Sequence, residues 1–116
     1  MPFKYKDPKT VISPKPNVKN IIVLHDGGNK PGSYSVAKLK WNGRDVIGVR
    51  WNINENEPFD PAKVSGAEDC IGEPNSRGYA TWFILPDDLL QTLIKGEKFA
   101  SLIQGHLTEQ KKSNKL

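Results

Sequence analysis

Apolar and polar residues alternate in several short runs of the chain, and alternation with a period of two is typical of β-strands. Residues 18–26 (VKNIIVLHD) form a β-rich run, and the glycine-containing segment DGGNKPGS follows it. This order predicts a first strand that ends in a loop. The run YATWFILP at residues 79–86 alternates in the same way, with Tyr79 and Phe83 on one face and Ala80 and Trp82 on the other. We therefore predict a further strand there.

The dipeptide Asn42-Gly43 is the strongest turn signal, because both central residues of a tight hairpin turn need positive φ. A two-residue turn fixes the register of the flanking strands, which pairs Trp41 with Arg44, Lys40 with Asp45, Leu39 with Val46, Val36 with Val49 and Tyr34 with Trp51. Apolar residues occur on both faces of this hairpin. This predicts a central hairpin that is covered on one face and partly covered on the other.

The segment PDDLLQTLIKG has the start and end signals of a helix. Pro86 suits a first turn, two aspartates follow it where the helix dipole is positive, and the apolar residues fall on one stripe. We predict a helix at residues 86–95 and a second short helix at residues 97–107. Together these elements predict an α+β fold, with an antiparallel sheet of four to five strands and a C-terminal helix packed on one face.

Composition divides the chain into three parts. Residues 1–17 contain four prolines and several lysines, which predicts an extended lysine- and proline-rich arm. Residues 18–107 are predicted to form a single α+β domain, in which residues 52–78 form a long acidic loop of a kind that is often functional or mobile. Residues 108–116 are predicted to be a basic, disordered tail.

The 116 residues carry a net charge of +4 and one cysteine, Cys70. A single cysteine excludes an intramolecular disulfide, which favours the reducing cytoplasm as the location. No apolar run is long enough to span a bilayer, and the N-terminus lacks the apolar stretch of a signal peptide. A basic chain with one acidic loop suits a nucleic acid or an acidic partner; the alternative is that these charges serve only solubility.

No residues assemble into a convincing catalytic or metal site. His25 and Asp26 are neighbours on a strand and point to opposite faces, so Asp26 is interpreted as the residue that shapes the following glycine turn. His106 has no evident partner, and zinc needs three or four converging ligands. Acidic residues flank Cys70 and raise the pKa of its thiol, which disfavours a nucleophile. The sequence predicts a protein that is not an enzyme and has no metal and no cofactor.

Basic residues are interleaved with aromatic ones on the predicted hairpin and on the last strand, a pattern typical of proteins that bind single-stranded nucleic acid. We predict that the binding residues are Lys38, Lys40, Arg44, Arg50, Trp51, Arg77 and Tyr79. Two alternatives stay open. The aromatic residues either pack in the core or contact a ligand. Arg50 needs either an external anion or an internal carboxylate such as Asp45 or Asp87.

Two resemblances bear on function. The motifs VIGVRWN and NSRGYATWFILPDDLL, within residues 18–95, resemble an uncharacterised family of short bacterial and mobile-element proteins, which implies no activity. The order of hairpin, strand and helix, with Val49-Arg50 and FILPDDLLQTLI in the corresponding places, is similar to the transcriptional coactivator PC4 family of single-stranded DNA binders. That resemblance implies a DNA-binding sheet face and a homodimer formed through the helix at residues 86–95.

A protein-interaction module is the alternative function. The long acidic loop at residues 52–78 could face a basic partner, as in an inhibitor or accessory factor encoded on a mobile element. The sequence therefore predicts a binding module in either case, with nucleic acid as the first ligand to test.

Overall fold

The computed structural model describes residues 3–95, 100–101 and 103–108. The chain forms two compact units, Met1–Leu85 and Pro86–Leu116. The strands of the first unit are β1 (Val18–Asp26), β2 (Tyr34–Trp41), β3 (Arg44–Trp51), β4 (Asn75–Ser76), β5 (Tyr79–Ala80) and β6 (Phe83–Ile84). Its short helix is α1 (Pro61–Val64), and 3-10 turns occupy Pro8–Thr10 and Glu57–Phe59. The second unit contains helix α2 (Asp87–Lys95).

The main sheet is antiparallel with the strand order β1-β2-β3-β6, and β4 pairs with β5 in a separate small sheet. The hairpin between β2 and β3 has the predicted register, from Trp41 opposite Arg44 to Tyr34 opposite Trp51. Its turn has φ values of 52° at Asn42 and 83° at Gly43, which is the conformation that an Asn-Gly turn requires. The predicted α+β fold with an antiparallel sheet is confirmed.

One face of the β2–β3 hairpin, here called the inner face, is buried; it carries Ser35, Ala37, Leu39, Val46, Gly48 and Arg50. Leu39 and Val46 pack with Val11 and Trp82 in the hydrophobic core. The indole Nε1–H of Trp82 donates a hydrogen bond of 2.8 Å to the carbonyl oxygen of Val11. Side chains on the opposite face are partly buried or exposed. The prediction of a hairpin that is covered on one face and partly covered on the other is therefore confirmed.

The predicted single strand at residues 79–86 is wrong, because the chain changes sheets within it. Strand β5 pairs with β4, whereas β6 pairs with β3. Thr81 and Trp82 lie between them, and the carbonyl oxygen of Thr81 accepts a hydrogen bond from an arginine side chain of β3. The predicted alternation nevertheless persists, since Ala80 and Trp82 are buried while Tyr79 and Phe83 are exposed.

Residues 3–17 belong to the first unit, which differs from the expectation of an arm outside a domain that begins at residue 18. Pro8 and Val11 are fully buried, and Tyr5 forms a β-bridge with Cys70. The Tyr5 hydroxyl donates a hydrogen bond of 2.8 Å to Asp26. Burial, together with this bond, raises the pKa of Tyr5 to about 12. The prolines exclude a regular helix, but they leave the segment free to pack along the core.

The long loop at residues 52–78 is organised around one buried carboxylate. Glu57 is 4% exposed. Its oxygens accept hydrogen bonds from the backbone N–H groups of Asn54, Ile71 and Gly72, at 2.9, 2.7 and 2.9 Å. The ammonium group of Lys63 lies 3.3 Å from the same carboxylate. Glu57 therefore joins the beginning of the loop to its end, which gives this acidic segment a defined shape.

Helix α2 begins one residue after the predicted start and ends at the predicted residue, Lys95. Residues 100–101 and 103–108 are also helical, as the predicted second helix requires, whereas residues 96–99 and 102 lie outside the described residues. The predicted tail at 108–116 lies outside them too, apart from Thr108. No helix in the described part of the chain combines the length and the apolar character needed to cross a membrane. The cytoplasmic location and the dimer through α2 stay predictions.

Candidate functional site

Four aromatic rings form a row across the main sheet, on the outer face that lies opposite the buried core. The members of this aromatic row are His25 of β1, Tyr34 of β2, Trp51 of β3 and Phe83 of β6. Tyr34 is the cross-strand partner of Trp51. Phe83 is the partner of Val49, which precedes Trp51 by two residues and therefore shares its face. The register of the sheet thus brings all four rings to one surface.

Within the aromatic row, the ring of Tyr34 packs against those of His25 and Trp51, and the rings stay largely exposed. Ring centroids are 4.7 Å apart for His25 and Tyr34, and 6.4 Å apart in an edge-to-face arrangement for Tyr34 and Trp51. Such separations are favourable for aromatic pairs. Even so, Tyr34 is 48%, Trp51 52% and Phe83 56% exposed. Aromatic faces that are held by their neighbours and open to solvent suit stacking with a flat ligand.

The outer face is basic toward the β2–β3 turn. Lys38 is exposed on β2, and Lys19 of β1 lies opposite Lys40. Lys40 forms an ion pair of 2.9 Å with Asp45, and the hydrogen bond in this pair lowers the pKa of Asp45. Of these three lysines, only Lys40 forms an ion pair among the described residues. Lys19 and Lys38 therefore leave this end of the face with a net positive charge.

A groove of about 290 Å³ lies between Trp51 and Phe83, and Glu73 and Pro74 help to line it. The backbones of Trp51 and Glu73 exchange two hydrogen bonds, of 2.7 and 3.0 Å, which fix Glu73 at this place. A planar group that enters the groove meets aromatic rings on its faces and a carboxylate at its edge. That carboxylate can accept hydrogen bonds from amino groups, such as those on the edge of a nucleobase.

The structure brings only three of the seven predicted binding residues to the outer face, namely Lys38, Lys40 and Trp51. Arg44 is exposed at the turn between β2 and β3. It occupies the opposite end of β3 from Trp51, about 23 Å away at 3.3 Å per residue. The basic and aromatic residues of the predicted hairpin therefore do not converge on one point: Lys38, Lys40 and Trp51 lie along the outer face, whereas Arg44 lies at the turn.

Arg77 and Tyr79 lie on the separate β4–β5 hairpin. Arg77 and Gly78 form its turn with φ values of 52° and 83°. The exposure predicted for the SRGY segment is confirmed, while its contact with a ligand stays a prediction. Tyr79, which is 66% exposed, also lines a cleft of about 480 Å³ together with Lys6 and Lys15 of the N-terminal segment.

Arg50 is not available to an external phosphate, which corrects its assignment as a surface contact. The residue is 3% exposed. Its guanidinium group donates hydrogen bonds to the backbone carbonyl oxygens of Ile71, Pro74 and Thr81. The predicted alternative of a carboxylate partner at Asp45 or Asp87 is wrong as well, because these carbonyl oxygens take the place of a carboxylate. Burial lowers the pKa of Arg50 to about 10, even though the charge of nearby Glu57 opposes that shift.

The three tryptophans differ in whether they pack in the core or are open to contact a ligand. Trp82 is 6% exposed and belongs to the core, and Trp41 is partly buried against the core. Trp51 alone among them is more than half exposed. Three further members of the outer surface, Tyr34, Phe83 and Lys19, were not among the predicted binding residues. The predicted register already placed Tyr34 opposite Trp51, so that signal was present in the sequence.

Other candidate chemistry has structural explanations. The backbone N–H of Gly28 donates to the Asp26 carboxylate at 3.0 Å, which confirms that Asp26 shapes the glycine turn. Cys70 is buried, and burial raises the pKa of its thiol to about 11, with a further contribution from the charge of Glu57. Within the described residues, no three histidine, cysteine or acidic side chains come together in a way that could hold a metal ion.

Comparisons with known proteins bear on the two resemblances. No protein-family model matches the chain. Neither a curated protein nor a solved structure matches it. The resemblances to the short mobile-element proteins and to the PC4 family therefore stay predictions.

Proposed function

We propose that this protein is a non-catalytic module that binds single-stranded nucleic acid on the outer face of its main sheet. The observation that carries this proposal is the coincidence of the exposed aromatic row with Lys19 and Lys38 on one sheet face. Proteins that bind single strands combine positive charge along the backbone with aromatic rings on which bases stack. Both components occur here, in positions fixed by the same strand register.

The two ends of the face have different roles in this proposal. Tyr34, Trp51 and Phe83 stack with bases, because their rings are held by the sheet and about half exposed. Lys19 and Lys38 contact phosphates from the basic end of the same face. Glu73 lies beside the groove between Trp51 and Phe83, where it accepts hydrogen bonds from base amino groups.

A single strand fits this surface better than a duplex. In a duplex the base faces are stacked on one another and cannot reach protein aromatic rings, whereas unpaired bases are free to do so. The basic end alone is small, with only two lysines outside an ion pair, so contacts with phosphates give a duplex little affinity.

Replacing Phe83 with alanine is expected to weaken binding of a single strand by about 1–3 kcal/mol, because one stacked base loses its partner ring.

Lys38→Ala is expected to reduce the slope of log K against log salt concentration by about 0.7, the value for one phosphate contact on a single strand. Fluorescence anisotropy with labelled oligonucleotides of about 12 nucleotides measures both effects. A duplex of the same sequence should bind more weakly than the single strand.

Phe59→Ala serves as the matched control, because Phe59 is an aromatic residue that is 84% exposed but does not belong to the aromatic row. It should leave oligonucleotide binding unchanged. Absence of binding to single strands at low salt would remove the proposal. Equal affinity of the Phe83→Ala variant and the unchanged protein would remove the outer face as the site.

A further inference from the structure

A second cleft in the first unit differs in chemistry from the outer face. It has a volume of about 560 Å³, within the range of ligand-binding sites. Its lining is rich in aromatic and proline side chains and includes two carboxylates. Among the lining residues are Pro31, Trp51, Ile53, Glu55, Pro58, Phe59 and Glu73. Most of these residues come from the loop at residues 52–78, of which the nucleic-acid proposal uses only Glu73.

Phe59 is the residue that the fold itself does not explain. It ends the 3-10 turn Glu57–Phe59, and its backbone N–H bonds to the carbonyl oxygen of Asn56 at 3.1 Å. Its side chain nevertheless stays 84% exposed at the cleft. The buried hydrogen bonds of the neighbouring Glu57 carboxylate hold this turn in place. The exposed ring at the cleft is therefore available to contact a ligand.

The charge of the cleft selects its ligand. Glu55 and Glu73 line it, and neither carboxylate forms an ion pair within the described residues. Two negative charges repel a phosphate backbone and attract a cationic group. Aromatic rings beside carboxylates also favour a cation, because the negative face of each ring attracts positive charge.

The shape of the cleft indicates an extended ligand. Its volume exceeds the needs of one ammonium group, and two prolines and two aromatic residues, Pro31, Pro58, Trp51 and Phe59, line it. Grooves lined by aromatic residues bind proline-rich segments, whose extended conformation is already formed in the free peptide. We propose that this cleft binds an extended peptide segment of a protein partner that carries proline together with lysine or arginine. This inference does not rest on the nucleic-acid proposal, although Trp51 and Glu73 line both the cleft and the groove of the outer face.

The test is a selection from a displayed library of random peptides of about 12 residues on the full-length protein. The expected winners contain proline and at least one lysine or arginine. A synthetic winner, measured by fluorescence anisotropy, should bind Phe59→Ala at least about 10-fold more weakly. Glu55→Gln should weaken it by about 3-fold or more, and reversing the peptide's basic residue to glutamate should do so more strongly.

Val64→Ala is the control, since Val64 is an exposed apolar residue of the same loop that does not line the cleft. It should bind the selected peptide normally. A library that yields no winner, winners without basic residues, or winners that bind Phe59→Ala equally well would each overturn the inference. Lys38→Ala should keep peptide binding and Phe59→Ala should keep oligonucleotide binding, so the two proposals succeed or fail separately.

Discussion

Replacing Arg50 with alanine is expected to lower the free energy of unfolding by about 3–5 kcal/mol, because three buried carbonyl oxygens lose their donor, each at a cost on the order of 1–3 kcal/mol. The guanidinium group joins β3 to the carbonyl oxygens of Ile71, Pro74 and Thr81 in one hydrogen-bonded unit. Alanine leaves these acceptors without their donor in a site that is almost closed to water. Chemical denaturation followed by tryptophan fluorescence measures the loss.

Arg50→Lys tests the geometry of this unit. A lysine ammonium keeps the charge but presents its donors from one nitrogen atom, so it cannot reach all three carbonyl oxygens as the planar fork of arginine does. It should recover less than half of the lost stability. Arg44→Ala, at the exposed end of the same strand, is the control and should change stability by about 0.5 kcal/mol or less. A loss from Arg50→Ala as small as that of the control would contradict the structural role.

Glu57→Ala is expected to cost about 3–4 kcal/mol, because it leaves three backbone N–H groups without their acceptor and removes the carboxylate that pairs with the Lys63 ammonium. Glu57 and Arg50 act on the same piece of chain. The N–H of Ile71 donates to Glu57, and the carbonyl oxygen of Ile71 accepts from Arg50. Loss of either side chain should therefore loosen the end of the loop, which hydrogen exchange at Ile71 and Gly72 can detect separately from global unfolding.

Glu57→Gln keeps the shape of the side chain and removes its charge. One glutamine oxygen can still accept from Asn54 and Gly72, but the amide NH₂ then faces the N–H of Ile71 and the Lys63 ammonium, which are also donors. The variant should lose about 2–3 kcal/mol, less than Glu57→Ala. If Glu57→Gln were as stable as the unchanged protein, the carboxylate would not be what holds the loop.

The parts of the fold that rest on local signals are predictable from the sequence. The Asn42-Gly43 turn fixes the register of eight residue pairs, because a two-residue turn leaves no other alignment of β2 and β3. The start of α2 follows from a proline directly before it and two aspartates in its first turn. Each of these elements is specified by residues that are close together in the chain.

The parts that rest on long-range contacts are not predictable in this way. Residues 79–86 read as one strand because their alternation is regular, but pairing partners decide where a strand is divided, and β4 is contributed by a segment that has no strand pattern. Its Arg77-Gly78 turn has positive φ at both residues, but this dipeptide is not among those typical of tight hairpins. In the same way, Val11 packs in the core, and its carbonyl oxygen accepts a hydrogen bond from Trp82, which lies 71 residues further along the chain.

The candidate site was predictable as a surface but not as a list of residues. Period-two alternation places Tyr34 and Trp51 on one face, yet only the packing of the sheet shows which face is open. Arginine is a residue type that often contacts phosphates, but Arg50 lies in the core. Its partners are backbone carbonyl oxygens, which every sequence contains and which no sequence pattern reveals.

Binding on the outer face can be followed residue by residue through the backbone and side-chain chemical shifts of the isotope-labelled protein, as a single-stranded oligonucleotide is added. We expect the largest changes on the outer face, at Tyr34, Lys38, Trp51 and Phe83, with smaller changes at Phe59 and in the core. Saturable changes confined to the β4–β5 hairpin around Arg77 and Tyr79, or no changes at all, would contradict the assignment of the outer face as the nucleic-acid interface.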